Sequence, residues 1–167
     1  MTRLAAALCA LAALACARGA PPAEGGAAPA SAALAGDTAR GTVEEVGAEP
    51  GTSFVLHAAG GSLVRLDGDR RLLGSVVGVE VAVHGRRDPR GVLRVQGLAV
   101  RASSGVPAVD GVLARDGAGW VLVTEDGRRH TVAHLPEPLR AKAGARVWLA
   151  GPLDRPPEAY GVIVDAR

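Results

Sequence analysis

Two histidines in the segment HTVAH, His130 and His134, have the spacing of zinc ligands on one face of a helix. The flanking alternation of apolar and polar residues indicates a strand instead, and residues four apart in a strand are separated by about 13 Å, at about 3.3 Å per residue. One straight strand therefore cannot bring both imidazoles to one metal ion. We predict no metal site and no cofactor in this chain.

Paired carboxylates could support acid–base catalysis, but neither pair in this sequence has a suitable arrangement. Glu44 and Glu45 are consecutive in a predicted strand, so their side chains point to opposite faces. Asp67 and Asp69 flank a glycine, which is typical of a turn. The sequence contains no Gly-x-Ser-x-Gly motif, phosphate-binding loop or dinucleotide fingerprint. We therefore predict that the protein is not an enzyme.

The N-terminal segment carries a different kind of chemistry, at Cys16. Residues 4–15 are an uncharged run of leucine, alanine and one cysteine after a short positive leader, which is typical of a secretory signal. Arg18 ends this run before the roughly 20 apolar residues that a spanning helix needs. The sequence ALAC at residues 13–16 resembles the lipobox of bacterial lipoproteins. The resemblance implies a signal peptide at residues 1–15 and acylation of Cys16.

Acylation of Cys16 would anchor the chain to a lipid membrane without a spanning segment. In Gram-negative lipoproteins an aspartate after the modified cysteine favours the inner membrane, whereas this chain has Ala17 there. The resemblance thus implies an outer-membrane lipoprotein that faces the periplasm or the cell surface. The alternative is an ordinary cleavage after Ala17 or Ala20, which would release a soluble periplasmic or secreted protein.

Composition divides the chain that follows Cys16 into a tether and a folded part. Alanine, glycine, proline and serine dominate residues 16–39, which predicts a disordered tether because such a segment buries too little apolar surface to become ordered. From residue 40 onward, short valine-rich runs alternate with glycine and aspartate turns, which predicts an all-β fold. Because only 2% of the residues are aromatic, the core must consist mainly of valine and leucine.

An internal repeat organises the predicted strands. A shift of 66 positions aligns FVLHAAGGSLVRL with WVLVTEDGRRHTV without a gap. The match predicts one repeat at 40–102 and a second at 109–167, joined by a linker at 103–108. The predicted strands are 41–46, 53–58, 62–66, 79–84 and 92–101 in the first repeat, and 111–115, 120–124, 129–132, 145–150 and 160–165 in the second. Helix is expected only in DRRLLGSVV and PEPLRAKAG.

Both repeats resemble a known class of small barrel. The segments VVGVEVAVHGRRDPRGVLRVQGLAV and KAGARVWLAGPLDRPPEAYGVIV are similar to the OB-like β-barrel repeats of bacterial envelope proteins, in which an aspartate turn leads to the last strand. The resemblance implies a tandem pair of five-stranded OB-like barrels. It implies no active-site residues, because its motif consists of turns and core positions.

OB-like folds bind ligands on the surface around their second and third strands. Strand alternation predicts four core residues there, namely Phe54, Leu56, Trp120 and Leu122. It leaves four candidate binding residues facing outward, namely His57, Arg65, Arg129 and Thr131. These give neither the exposed aromatic rings nor the basic groove that single-stranded nucleic acid requires. We therefore expect no nucleic-acid partner.

Trp148 is the remaining candidate binding residue. It lies between Val147 and Leu149, faces away from both, and corresponds to Ala82 of the first repeat. It either fills the junction between the barrels or contacts a partner, because tryptophan is common at binding hot spots. The sequence as a whole predicts a membrane-anchored, non-enzymatic binding or envelope-assembly module whose partner is an envelope protein or a small ligand. The alternative is a periplasmic carrier with a ligand site around Trp148.

Overall fold

The computed structural model describes residues 36–48 and 51–166, in which ten strands account for most of the regular structure. The strands are β1 (Asp37–Val46), β2 (Ser53–Ala58), β3 (Leu63–Asp67), β4 (Val79–Arg87), β5 (Leu93–Ser103), β6 (Val106–Asp116), β7 (Gly119–Val123), β8 (Arg129–Val132), β9 (Arg146–Ala150) and β10 (Ala159–Val164). The helical elements are α1 (Arg70–Gly74) and a 3₁₀ turn (Glu137–Leu139). The prediction of an all-β fold is confirmed, and both helical segments fall where helix was expected.

Strands β1–β5, the first strand set, pair in a ring that returns to its starting strand. β1 pairs with β2 and β4, β2 pairs with β3, and β4 pairs with β5, all antiparallel. β3 and β5 complete the ring through a short parallel contact, in which Leu66 lies opposite Leu93 and Asp67 opposite Arg94. Every strand of the first strand set therefore has two partners within the set, which leaves none of them as an outer edge.

Strands β6–β10, the second strand set, pair in the same order without closing. β6 pairs with β7 and β9, β7 pairs with β8, and β9 pairs with β10. Within the described residues β8 and β10 do not pair with each other. The backbone N–H of Ala133, just after β8, donates instead to the carbonyl oxygen of Leu153 at 3.0 Å. The second strand set is therefore an open sheet.

The two strand sets also share their pairing register. Val43 lies opposite Leu56 in the pair β1–β2, and Leu113 lies opposite Leu122 at the matching position of the pair β6–β7. The pairing of β1 with β4 matches that of β6 with β9 in the same way. Each strand set also has a register shift, or bulge, at a matching point between its last two strands.

Valine and leucine side chains build two hydrophobic clusters. One cluster is formed mainly by β1–β5 and also contains Trp148, Ala150 and Ile163 of the second strand set. The other is formed by residues of β6–β9 and the adjoining turns. The four predicted core residues, Phe54, Leu56, Trp120 and Leu122, are all buried. All described residues belong to one compact unit.

The first strand of each set begins earlier than predicted. β1 starts at Asp37, so the last three residues of the predicted tether, 37–39, are paired with β4. β6 starts at Val106, so residues 106–108 of the predicted linker are strand and not a connection. Pro107 has no backbone N–H to donate in this strand, but its carbonyl oxygen accepts a hydrogen bond from the N–H of Gly151 at 2.9 Å. The predicted signal peptide, Cys16 and the remainder of the tether lie outside the described residues.

No helix in the described ranges is long and apolar enough to cross a membrane.

Candidate functional site

An open cleft of about 740 Å³ lies over β2 and β3 of the first strand set. Its lining comes from the end of the β1–β2 connection, both strands, the start of α1 and the β4–β5 loop. The charged lining residues are Arg65, Asp67, Arg70, Asp88 and Arg90. The cleft thus combines a strand surface with two neighbouring loops, and its chemistry is set mainly by charge.

Arg70 is fixed in the cleft lining by several contacts. Its Nη1 donates to the carbonyl oxygen of Thr52 at 3.0 Å, and its Nη2 donates to the hydroxyl of the same residue. Its guanidinium carbon lies 5.8 Å from the centre of the Phe54 ring, within the range of cation–π attraction. The carboxylate of Glu45 lies 3.8 Å from Nη2. These contacts hold the guanidinium at one position beside the cleft.

The short helix α1 positions Arg70 because its first turn is capped. Asp69 Oδ1 accepts hydrogen bonds from the backbone N–H groups of Arg71 and Leu72, at 2.8 and 3.3 Å. This is the usual N-cap arrangement, which satisfies backbone donors that have no partner inside the helix. Leu73 is buried in the hydrophobic cluster formed mainly by β1–β5 and anchors the helix to that cluster. Asp69 therefore has a structural role, in agreement with its assignment to a turn.

The acidic residues of the cleft lining already have partners. Asp88 Oδ1 accepts from the backbone N–H groups of Arg90 and Val92, at 2.9 and 3.0 Å, and so fixes the β4–β5 loop. The carboxylate of Asp67 lies 4.0 Å from the guanidinium of Arg94. In contrast, the guanidinium groups of Arg65 and Arg90 form no ion pair or hydrogen bond with any residue in the described ranges. The cleft lining therefore has a small excess of positive charge, three arginines against two aspartates, and two of these arginines have no side-chain partner among the described residues.

Of the predicted binding residues, only Arg65 lines this cleft. His57 is exposed on β2, and its Nε2 is hydrogen-bonded to the carboxylate of Glu44. Thr131 is exposed on β8. Arg129, on the same strand, forms an ion pair with Asp116 at 3.0 Å. The predicted outward orientation of all four strand residues is confirmed, but the structure does not gather them into one site.

Trp148 is buried, with 6% of its surface exposed. It lies opposite Gly161 of β10, and its ring covers that glycine so closely that an added Cβ would be 2.6 Å from the indole Nε1. Its side chain belongs to the cluster formed mainly by the first strand set. The buried Nε1 has no hydrogen-bond partner among the described residues. Of the two roles considered for Trp148, this environment favours packing between the strand sets.

Arg70 and Arg90 were not among the predicted binding residues. Both lie outside β2 and β3, the strands in which alternation predicted the outward-facing residues. Arg70 is at the start of α1, and Arg90 is in the β4–β5 loop. The cleft lining thus contains three arginines, whereas strand alternation predicted only one of them, Arg65, at this surface of the first strand set. In the second strand set, the positions that match Arg65 and Arg70 are occupied by Thr131 and Pro136, so the basic character is not repeated. The dense arginines of residues 65–71 and 86–94 were the available signal.

The two histidines with ligand-like spacing do not share one regular element. His130 is half-buried on β8, and His134 is exposed beyond the end of that strand. In the part of the chain that the structure describes, no three His, Cys, Asp or Glu side chains are arranged to hold a metal ion.

No protein-family model and no curated protein matches this chain.

Proposed function

We propose that the protein is an exported, membrane-anchored lipoprotein whose folded part is a non-enzymatic binding module of the cell envelope. The cleft over β2 and β3 carries this proposal, because it joins a strand surface to the β1–β2 and β4–β5 connections. In OB-like folds these are the elements that contact oligonucleotides and oligosaccharides. Leu63, 64% exposed in the cleft lining, adds an apolar contact that the protein itself does not cover.

A tandem pair of OB-like barrels is the architecture that we infer for this module. The closed pairing of the first strand set, with its parallel contact between β3 and β5, supports a small five-stranded barrel. The matching order and register of the second strand set support a second, more open copy of the same unit. In this arrangement the first barrel binds the ligand, and the second barrel packs against the first barrel.

The anchor in this proposal is acylated Cys16, and its support is the lipobox-like sequence ALAC after an apolar signal. Native mass spectrometry of protein gently extracted from its host's membranes tests the anchor. We expect an acylated chain that starts at Cys16, and we expect Cys16→Ser to abolish the acylation. An unmodified chain that starts beyond Cys16 would contradict the anchor and favour a soluble exported protein. Fractionation of inner and outer membranes tests the outer-membrane address.

The same spectra test the binding function. A retained ligand or subunit should add mass to the wild-type protein, and Leu63→Glu should remove that mass because it places a charge at the apolar edge of the cleft. Thr131→Glu is the matched control, since it adds the same charge at an exposed position of β8. Retention of the mass by Leu63→Glu, or its loss from both variants, would contradict a binding site in this cleft.

A carrier with its ligand site around Trp148 is the alternative function. The packing of the indole ring against Gly161, and its place in a hydrophobic cluster, give this alternative no support.

A further inference from the structure

We propose that the cleft over β2 and β3 recognises the phosphate or carboxylate oxygens of a small anion or an anionic lipid headgroup, and not of a nucleic acid, through Arg65, Arg70 and Arg90. This inference rests on the proposed binding function of the same cleft, and it names the ligand chemistry that the binding function leaves open.

The charge balance of the cleft favours an anion. Asp88 is engaged by two backbone N–H groups, and Asp67 lies beside Arg94. Arg65 and Arg90 have no such partners among the described residues. A planar guanidinium presents paired N–H donors that match the two oxygens of a carboxylate or phosphate. An anionic group in the cleft would therefore accept hydrogen bonds from the guanidinium groups of Arg65 and Arg90, whereas the nearby aspartates do not.

The backbone around the cleft is also fixed, so that binding would have to order mainly the side chains of Arg65 and Arg90. Arg70 is already held by Thr52 and the Phe54 ring. The loop that carries Arg90 is fixed by the hydrogen bonds to Asp88. Arg65 projects from β3, which is paired on both sides. Because the cost of ordering side chains and loops subtracts directly from affinity, this arrangement suits recognition of a compact anion.

The second strand set provides an internal comparison. At the matching positions it has Thr131 and Pro136 in place of Arg65 and Arg70, and Arg129 in place of Leu63. Arg129 is neutralised by Asp116 at 3.0 Å. The shared strand register therefore does not require arginines at these positions, and Arg65, unlike Arg70, makes no side-chain hydrogen bond or ion pair with a described residue that would explain its presence by folding.

Isothermal titration of the mature protein, purified from its host's membranes in detergent, tests this inference with pyrophosphate and citrate as probes. We expect saturable binding of at least one probe that weakens with salt, and an affinity loss of about tenfold or more in Arg65→Ala and in Arg90→Ala, since each charge-assisted contact contributes about 1.5–3 kcal/mol. Arg65→Lys should recover only part of the affinity, because lysine lacks the paired donors. Arg129→Ala is the matched control and should bind like the wild type.

Vesicles distinguish a lipid headgroup from a free anion. A chain of residues 17–167, which lacks both the predicted signal peptide and Cys16, should bind phosphatidylglycerol vesicles but not phosphatidylcholine vesicles if a lipid headgroup is the natural source. Binding of free probes without vesicle binding indicates a soluble anionic ligand, which supports the proposal equally. Tighter binding of an oligothymidylate than of any other probe would make nucleic acid the occupant and overturn the proposal.

Two results separate the failure of this inference from the failure of the binding function. If neither probe nor vesicle binds, or if the arginine variants bind like the wild type while their melting temperatures are unchanged, anion recognition is overturned. The binding function survives that result if native spectra show a neutral ligand that Leu63→Glu releases. If the spectra also show nothing retained, both proposals fail together.

Discussion

The two strand sets use the same pair of positions for ion pairs of opposite polarity. In the first strand set, Arg40 of β1 donates through Nε to Glu80 of β4 at 2.6 Å, and the two side chains are 61% and 34% exposed. In the second strand set, the matching residues are Asp110 of β6 and Arg146 of β9, and their side chains are only 8% and 27% exposed. The register is shared, but the charges are exchanged and the surroundings differ.

The buried pair connects the two strand sets, whereas the exposed pair stays within one. Asp110 Oδ1 accepts a hydrogen bond from the backbone N–H of Val100 at 2.9 Å. Arg146 Nη2 donates to the carbonyl oxygen of Leu98 at 2.7 Å. Both of these backbone groups belong to β5 of the first strand set. Matching positions of the two strand sets thus form an exposed ion pair within the first set and, in the second set, a partly buried ion pair that contacts the first set.

The largest difference between the strand sets should appear at Trp148, whose counterpart is the half-buried Ala82. Trp148→Ala should lower the free energy of unfolding by about 3–5 kcal/mol, because it empties a large volume in a packed cluster. Chemical denaturation measures this loss. Trp148→Phe should cost much less, since it keeps an aromatic ring over Gly161 and removes the N–H that has no partner among the described residues. Full stability combined with lost ligand binding would instead support the carrier function.

The second largest difference is expected between the stability losses caused by substitution of Asp110 and of Arg40, which occupy matching positions. Asp110→Ala removes the acceptor of the Val100 N–H and leaves the partly buried guanidinium of Arg146 without its carboxylate. We expect a loss of about 2–4 kcal/mol, since breaking one side of a buried pair leaves an uncompensated charge. Arg40→Ala, in the exposed pair, should cost at most about 1 kcal/mol. Equal losses in urea denaturation would show that the two pairs contribute alike and would end this distinction.

A smaller effect is expected at the hairpin that joins the two strand sets. Ser104 and Gly105 both have positive φ, at 50° and 81°, as a two-residue turn between antiparallel strands requires. Ser104→Gly should therefore raise the stability by about 0.5–1 kcal/mol, because a non-glycine residue is strained in this region. Gly105→Ala should lower it for the same reason. A thermal melt that places both variants on the same side of the wild type would contradict this account of the turn.

Short valine-rich runs between glycine and aspartate turns, together with the internal repeat, predicted all ten strands, because each strand has at least one face against a hydrophobic cluster. The predicted strand bounds were too short where backbone pairing, and not burial, extends a strand. Residues 37–39 have few apolar side chains and join β1 because they pair with β4. The cleft was only partly predictable, since Arg65 lies on a strand but Arg70 and Arg90 lie on segments that folding brings to it. Likewise, the sequence predicted that the Trp148 side chain points away from Val147 and Leu149. It did not predict that this side chain packs into the cluster formed mainly by the first strand set.

The β2–β3 and β7–β8 hairpins provide the smallest contrast. The first turns through Gly60 and Gly61, whereas the second contains Asp126, whose counterpart is Gly60. The pKa of the Asp126 carboxyl is lowered below its ordinary value of 3.8, mainly because the Thr124 hydroxyl donates to it and secondarily because the backbone N–H of Arg128 does so. A lowered pKa means that the folded state favours the ionised form, so this stabilisation is fully present above pH 3.8 and is lost as the pH falls through the lowered value.

Replacement of the hydroxyl should separate this turn from its glycine-based counterpart. Thr124→Val removes the principal hydrogen bond to Asp126, so the pKa of that carboxyl should rise towards 3.8 in an NMR titration. Thr131→Val, at an exposed threonine of β8, should leave the pKa of Asp126 unchanged. Because a lowered pKa contributes stability only where the carboxyl is ionised, the loss of stability in Thr124→Val should be present at neutral pH and should vanish as the pH falls through the lowered pKa. A Thr124→Val protein in which Asp126 titrates as in the wild type would show that the Arg128 N–H alone lowers the pKa.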